Sequence, residues 1–431
     1  MDYVEALVLV ISFVFLIGIR VPIAYAIGLS AMITLLISMP SLPALTTLAQ
    51  RMATSLDSFA LLAIPFFILA GQVMNRGGIA RRLIDFAKAI VGPLPGGLAF
   101  VNIIACMLFG AISGSAVAAA SAIGGFMNPM MQKEGYDKSF SAAVNITSAT
   151  TGLIIPPSNI LIIYSLASGG VSIAALFLAG YVPGILIGLA LMLVAGVYSF
   201  IKEYPTEKSV GLYLLLKRFL DALPSLLLLV VVIGGIVAGI FTATEASAVA
   251  VIYTFVLAFS YKEIRIRDVA PIFLETVKTT AIVMLLIATS VAMSWVMSYE
   301  SIPQEISSGL LGISNNAIVI LILINLILLF VGIFMDMTPA VLIFTPIFLP
   351  IVTQMGIDPI HFGIIMILNL CIGLCTPPVG SVLFVGCGVA NLRIQQVVKP
   401  LLPLFMVMLV VLFLVTYVPE LSLWVPRIFG Y

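Results

Sequence analysis

The stretch Gly152-Leu-Ile-Ile-Pro-Pro-Ser158 interrupts a long apolar run, and Gly373-Leu-Cys-Thr-Pro-Pro-Val379 interrupts another. Both contain Gly-Leu-x-x-Pro-Pro, and they stand 373 − 152 = 221 residues apart in a chain of 431. Consecutive prolines lack backbone donors and disfavour helical geometry in the residue before them, so a helix must break at each place. Within hydrocarbon, the freed carbonyls are tolerated only where protein, water or an ion satisfies them. Paired interruptions in two halves indicate the midplane binding site of a secondary transporter.

The composition indicates an all-α polytopic membrane protein in contact with a lipid bilayer. Hydrophobic residues make up 62% of the chain, charged residues 9%, and the mean hydropathy is +1.27. A soluble domain carries about 25% charged residues. The formal net charge of +1 offers no basic face for nucleic acid. The sequence has no G-x-x-x-x-G-K-[ST] loop, so we expect no nucleotide, and we expect no organic cofactor either. An intramembrane aspartyl enzyme needs two close carboxylates, whereas only Asp336 lies deep in a span, so we expect no enzymatic activity.

The distribution of Lys and Arg predicts the topology. Placing the basic clusters in the cytoplasm follows the positive-inside rule and puts the N-terminus on the periplasmic side, with Arg51 as an exception. No Lys or Arg occurs between Lys278 and Arg393. The first spans are expected near residues 4–20, 22–39 and 58–75.

Two apolar segments are predicted to be re-entrant hairpins. Residues 96–131 are interrupted at Gly110–Ser115, and residues 316–353 at Met335–Pro339. Each arm of the first is too short to cross a hydrocarbon core, which needs about 20 residues. Basic residues flank only the first segment, so it should enter from the cytoplasm and the second from outside.

These segments define an inverted repeat. The first repeat covers residues 1–201 and includes a broken helix at 139–168. A cytoplasmic connector follows at 202–220. The second repeat covers residues 221–431 and includes a broken helix at 360–391. Because the second half starts on the opposite side, the repeat is inverted.

Hairpin tips and broken helices bring helix ends together at the midplane. The ends of the first arms expose carbonyl oxygens, which suit a small hard cation, whereas the starts of the second arms expose N–H groups, which suit a carboxylate. The metal candidates are Ser113, Ser115, Gly152, Pro156, Asp336, Thr338, Gly373 and Thr376. The substrate-binding candidates are Ser113, Ser115, Ser158, Asn159 and Asp336. Thr338 followed by Pro339 is typical of an N-cap with proline at the first helical position.

Other interpretations of these residues stay open. Ser-Gly-Ser at 113–115 also suits close packing of two membrane helices. Asp336 near the bilayer centre costs about 2.5–3.5 kcal/mol, which favours a functional role over a structural or interfacial one. Glu245 fits a helix cap with Thr242 or Thr244 at least as well as transport chemistry. We expect His361 at the membrane interface, and the four cysteines in helix packing.

The chain resembles the large membrane subunit of the tripartite ATP-independent periplasmic (TRAP) transporters. The resemblance spans essentially the whole chain and rests on the following segments: Phe109–Ala118, Gly152–Pro157, Phe241–Ala246, Phe334–Pro339 and Gly373–Gly380. It implies an elevator-type fold of the ion transporter superfamily in a bacterial inner membrane. It further implies uptake driven by sodium, with at least two Na+ ions at the hairpin tips and broken helices. The implied partners are a small four-helix membrane subunit and a periplasmic substrate-binding protein.

The first hairpin tip bears on the substrate. Dicarboxylate members of this family often read Ser-Gly-Ser-Ser-Pro there, whereas this chain reads Ser113-Gly-Ser-Ala-Val117. The departure favours a sugar acid, such as sialic acid, over a C4-dicarboxylate as the organic acid substrate. A sodium/dicarboxylate elevator carrier that works without a binding protein is the main alternative, and an anion channel is a weaker one.

Overall fold

The fold is helical throughout the residues that the computed structural model describes, which are 4–206, 211–314 and 316–431. Within these ranges, eight helices are long and apolar enough to cross a membrane. The prediction of an all-α polytopic membrane protein is therefore confirmed.

The first half contains ten helices in its described part, and a 3-10 turn at Phe59–Leu62 leads into the fourth. These are α1 (Val4–Gly18), α2 (Ile23–Ser38), α3 (Ser41–Ser55), α4 (Ala63–Arg76), α5 (Ile79–Val91), α6 (Gly97–Ser113), α7 (Ala116–Lys133), α8 (Lys138–Thr151), α9 (Asn159–Ala167) and α10 (Ile173–Ile201). The short helices α3 and α5 were not predicted from the sequence. α5 is amphipathic, with Leu83 and Ala87 buried and Arg81 exposed, which suits a helix lying along the surface.

The helices of the second half follow in a similar order along the chain. Its helices are α11 (Leu212–Val237), α12 (Ala243–Ser260), α13 (Ile266–Tyr299), α14 (Ile302–Ile313), α15 (Ala317–Phe334), α16 (Met337–Gln354), α17 (Pro359–Gly373), α18 (Ser381–Ala390), α19 (Ile394–Tyr417) and α20 (Glu420–Ile428). α11 begins inside the segment expected to be the connector, of which residues 207–210 lie outside the described ranges.

Helices end and restart where the sequence predicts breaks. Between α6 and α7 the chain turns at Gly114, whose φ of +62° is a left-handed conformation that glycine adopts without steric cost. Met335 and Asp336 separate α15 from α16 in extended geometry. The proline pairs lie in the gaps α8–α9 and α17–α18. The re-entrant course of the hairpins and the inversion of the repeat remain predictions.

The two halves interlock at the centre of the molecule. α6 packs on α8 and α15 packs on α17, so each hairpin contacts the broken helix of its own half. In addition, α7 packs on α18 and α16 packs on α9, so the second part of each broken helix contacts the hairpin of the other half. Residues Phe140–Thr151 of α8 and His361–Gly373 of α17 are all buried. α4 packs on α12 beside this centre and α13 on α2, and α4 and α13 also face the hairpins.

Candidate functional site

A cavity of about 490 Å³ lies where the tips of both hairpins meet α4, α9 and α13. It brings together the predicted site residues Ser113, Ser115, Asn159, Asp336 and Thr338. The sequence places these residues on separate elements up to 225 positions apart (338 − 113). The fold therefore gathers one set of candidate side chains from both halves into a single space.

The tip of the first hairpin provides the start of α7. Ser115 is its N-cap, and the Ser115 Oγ accepts a hydrogen bond from the N–H of Ala118 over 3.2 Å. The Oγ of Ser113, which is buried, lies 3.5 Å from the Ser115 carbonyl oxygen. The first N–H groups of a helix have no acceptor within it, and those of Ala116 and Val117 belong to residues that line the cavity. This helix start can bind an anion.

Asp336 holds the corresponding place in the second hairpin. It is the N-cap of α16, and it stands 336 − 115 = 221 residues after Ser115, the same offset as between the proline motifs. Its neighbours Met335 and Met337 are buried, whereas the Asp336 side chain is exposed to the cavity. A carboxylate at the start of a helix, open to a cavity within the protein, has the chemistry to bind a cation.

The predicted N-cap at Thr338 is wrong. α16 begins at Met337, so Thr338 is the second residue of the helix and Pro339 the third. Asp336 is the N-cap by position, without a side-chain capping hydrogen bond, and proline is tolerated throughout the first turn because its missing N–H would have no intrahelical partner. Thr338 nevertheless lines the cavity.

Asn159 opens α9 directly beside Gly114. A Cβ on Gly114 would lie 2.7 Å from the Asn159 Nδ2, so the glycine is needed both for its backbone conformation and for this approach. The Oδ1 of Asn159 is buried and accepts no hydrogen bond from any part of the chain that the structure describes. Because a buried amide oxygen normally has a partner, this atom is available to a ligand.

The remaining predicted site residues lie outside the cavity lining. Ser158 is buried, and its Oγ donates to the Leu153 carbonyl over 2.5 Å. The Thr376 Oγ donates to the Ile372 carbonyl over 2.8 Å. Gly152 packs against Gly110 and Gly373 against Gly332, and Pro156 is buried in the α8–α9 gap. Roles for these residues in holding metal or substrate stay predictions.

The sequence analysis missed a polar wall of the same cavity. Gln72 and Asn75 of α4, Ser121 of α7 and Thr279 of α13 line it. The pair on α4 was visible as two amides one turn apart in an otherwise apolar span. Of the lining side chains, only Asp336 carries a charge, and no Lys, Arg or His is among them.

Glu245 caps a helix. The N–H of Glu245 donates to the Thr242 Oγ1 over 3.2 Å, and the Glu245 carboxylate accepts from the N–H of Thr242 over 2.8 Å. This reciprocal pair is a capping box at the start of α12, as the sequence indicates, and Glu245 is exposed.

His361 is buried within the protein at one end of α17, and its expected position at the depth of a membrane interface stays a prediction. It lies in the first turn of α17, where its Nδ1 is 2.6 Å from the Ser422 Oγ and its Nε2 is 3.3 Å from the Thr416 carbonyl. The C-terminal helix α20, which carries Ser422, covers this end of α17.

All four cysteines are buried, in keeping with packing. In the described part of the chain, no three His, Cys, Asp or Glu side chains cluster as metal ligands would.

Comparison with known sequences gives a consistent match. Residues 10–421 match the family described as "Tripartite ATP-independent periplasmic transporter, DctM component". The chain is 56% identical over 419 residues to the protein YgiK of Salmonella typhimurium, covering 97% of this chain and 96% of that protein. It is 41% identical over 406 residues to the C4-dicarboxylate TRAP transporter large permease protein of Pseudomonas aeruginosa, covering 94% of each.

Comparison with solved structures supports the architecture. The fold is similar to that of the YdaH transporter of Alcanivorax borkumensis, with a TM-score of 0.66, 13% sequence identity, and coverage of 90% of this chain and 89% of that one. At this identity the likeness concerns the fold alone. The match over nearly the whole sequence shows the family: the chain is a multi-pass membrane protein that belongs to the family of large permease subunits of TRAP transporters.

Proposed function

We propose that this chain is the transport subunit of a sodium-coupled uptake system for an organic acid anion in a bacterial inner membrane. Its proposed partners are a small four-helix membrane subunit and a periplasmic substrate-binding protein. We propose that its N-terminus lies in the periplasm. The observation that carries the proposal is the single cavity that joins the tips of both hairpins.

Sodium fits the oxygen atoms around the cavity. The Asp336 carboxylate, the unpartnered Asn159 Oδ1 and the Ser113 hydroxyl are oxygen ligands of the kind that a small hard cation takes. A bound cation would offset the cost of an uncompensated carboxylate in the membrane. Because Ser115 and Asp336 occupy corresponding positions in the two halves, we propose one ion associated with each hairpin, and thus at least two.

The substrate carboxylate fits the start of α7. The N–H groups of Ala116 and Val117 and the helix dipole favour a negative group there. No cationic side chain lines the cavity, so nothing in the lining would compensate a second negative group of the substrate. An anion with two charges would meet Asp336 without a compensating Lys or Arg. A sugar acid with one carboxylate, such as sialic acid, is therefore favoured over a C4-dicarboxylate.

Reconstitution tests this function. Proteoliposomes that contain both membrane subunits, supplied with the binding protein, would be assayed for uptake of radiolabelled sialic acid and succinate under an inward Na+ or K+ gradient. We expect accumulation with Na+ and little with K+. Equal uptake in both salts, or uptake that needs ATP, would overturn the proposal. Accumulation of the substrate without the binding protein would indicate a carrier that works without that partner. Equilibration of the substrate across the membrane without accumulation would indicate an anion channel.

A further inference from the structure

One face of α4 forms a wall of the cavity beside the first hairpin tip. Ile68, Gly71, Gln72 and Asn75 all line the cavity, and their spacing of three and four residues places them on one side of the helix. At Gly71 this face meets the hairpin directly, since a Cβ there would lie 3.0 Å from the Ser113 carbonyl oxygen. The side chains that follow Gly71 on this face are therefore next to the proposed carboxylate site.

The two amides of this wall make no hydrogen bond with the rest of the chain. Within residues 4–206, 211–314 and 316–431, no donor or acceptor pairs with the side chain of Gln72 or Asn75. Thr279, on the neighbouring α13, instead donates its hydroxyl to the Glu275 carbonyl over 2.9 Å. Each free amide offers two N–H donors and one acceptor oxygen to whatever enters the cavity.

We propose that Gln72 and Asn75 are specificity-determining residues that hydrogen-bond the hydroxyl groups of a polyhydroxylated monocarboxylate. This inference rests on the proposed function, and it adds that the hydroxyl groups of the substrate are recognised by α4, next to the carboxylate site on the first hairpin. An amide can donate to and accept from a hydroxyl, so a chain of hydroxyls matches this wall, whereas a methylene chain would leave the amides unpaired. A site built to hydrogen-bond hydroxyl groups binds an analogue without them poorly, because its amides are then left unpaired.

The test compares two six-carbon monocarboxylates, D-gluconate and hexanoate, which share a carboxyl end and chain length and differ in hydroxyl groups. Purified protein in lipid nanodiscs with NaCl would be titrated with each acid, and with succinate, following the ligand-induced shift in Tm. We expect wild-type protein to bind gluconate most tightly. Gln72→Met and Asn75→Leu, which keep side-chain size, should each weaken gluconate binding about three- to tenfold and leave hexanoate unchanged.

Gln50→Met is the matched control, because Gln50 is exposed on α3 and does not line the cavity. Each variant's shift is measured from its own ligand-free Tm, so that lost stability and lost binding are read separately. Unchanged gluconate binding in both variants would overturn the inference, as would wild-type protein that binds gluconate no better than hexanoate or succinate. Sodium-driven uptake in the reconstituted system reports the proposed function independently of this result.

Discussion

The Sγ of Cys371 lies 3.4 Å from the carbonyl oxygen of Thr150, and the two residues stand 371 − 150 = 221 positions apart. The same offset relates the two proline motifs, and it relates Ser115 to Asp336. When two units are related by a two-fold axis, a residue touches its own equivalent only beside that axis. This contact is the one expected if the predicted repeat has its two-fold axis between α8 and α17, and the repeat itself stays a prediction.

The close glycine contacts in each half lead to a prediction about stability. A Cβ on Gly152 would collide with the Gly110 Cα, and one on Gly373 would lie 2.6 Å from the Gly332 Cα. Gly152→Ala and Gly373→Ala should each cost about 1–3 kcal/mol, because backbone faces backbone and neither side can move aside. The measurement is the Tm of detergent-solubilised protein.

Gly125→Ala is the control for this prediction. Gly125 lies within α7 with nothing near its missing Cβ, so alanine there should be neutral or stabilising by up to about 1 kcal/mol. Equal Tm values for Gly152→Ala and Gly125→Ala would show that the close approach of Gly152 to Gly110 does not limit stability.

The C-terminal end of each hairpin, formed by α7 in the first half and α16 in the second, provides a test of the topology. α7 ends at Lys133 and α16 at Gln354, both exposed, and 354 − 133 = 221. In a variant without the four native cysteines, Gln354→Cys should react with an impermeant thiol reagent from outside, and Lys133→Cys only from the cytoplasm. Reaction of both from one side would remove the inverted repeat.

The helix breaks were predictable because they depend on local chemistry. A proline pair follows the end of α8 and another follows the end of α17, because consecutive prolines cannot continue a helix. Gly114 supplies a left-handed turn. The polar wall was not predictable, because it depends on which helix packs beside the hairpin: Gln72 lies 264 positions before Asp336 (336 − 72). Likewise, the burial of His361 depends on α20, which places Ser422 beside it from 61 residues away.

Ser115 should matter to transport beyond its role as a cap. Ser115→Ala removes a hydrogen bond to the third N–H of α7 and should cost about 1 kcal/mol of stability. It also removes a hydroxyl from the cavity, so we expect a several-fold fall in sodium-dependent uptake at matched protein levels.

Ser172→Ala separates these two effects. The Ser172 Oγ accepts from the N–H of Ala175 over 3.3 Å at the start of α10, so it is the same kind of cap away from the cavity. It should lose similar stability and keep its uptake rate. Equal loss of uptake in both variants would mean that Ser115 acts only by capping.

Asp336 provides the sharpest test of sodium coupling. The Asp336 side chain makes no capping hydrogen bond with α16, and a neutral side chain costs less to insert in a membrane, so Asp336→Asn should fold and assemble normally. The variant keeps one oxygen and the shape of the side chain but loses the only charge among the side chains that line the described cavity. A cation held there would lose its strongest ligand. Uptake should fall at least tenfold, and the Na+ concentration for half-maximal uptake should rise, when measured against wild-type protein at equal amounts.

Asp57→Asn is the control, because Asp57 is an exposed aspartate outside the cavity, and this variant should behave as wild type. Near-normal, sodium-dependent uptake in Asp336→Asn would show that its carboxylate is not an ion ligand, and the proposed ion at the second hairpin would have to be abandoned.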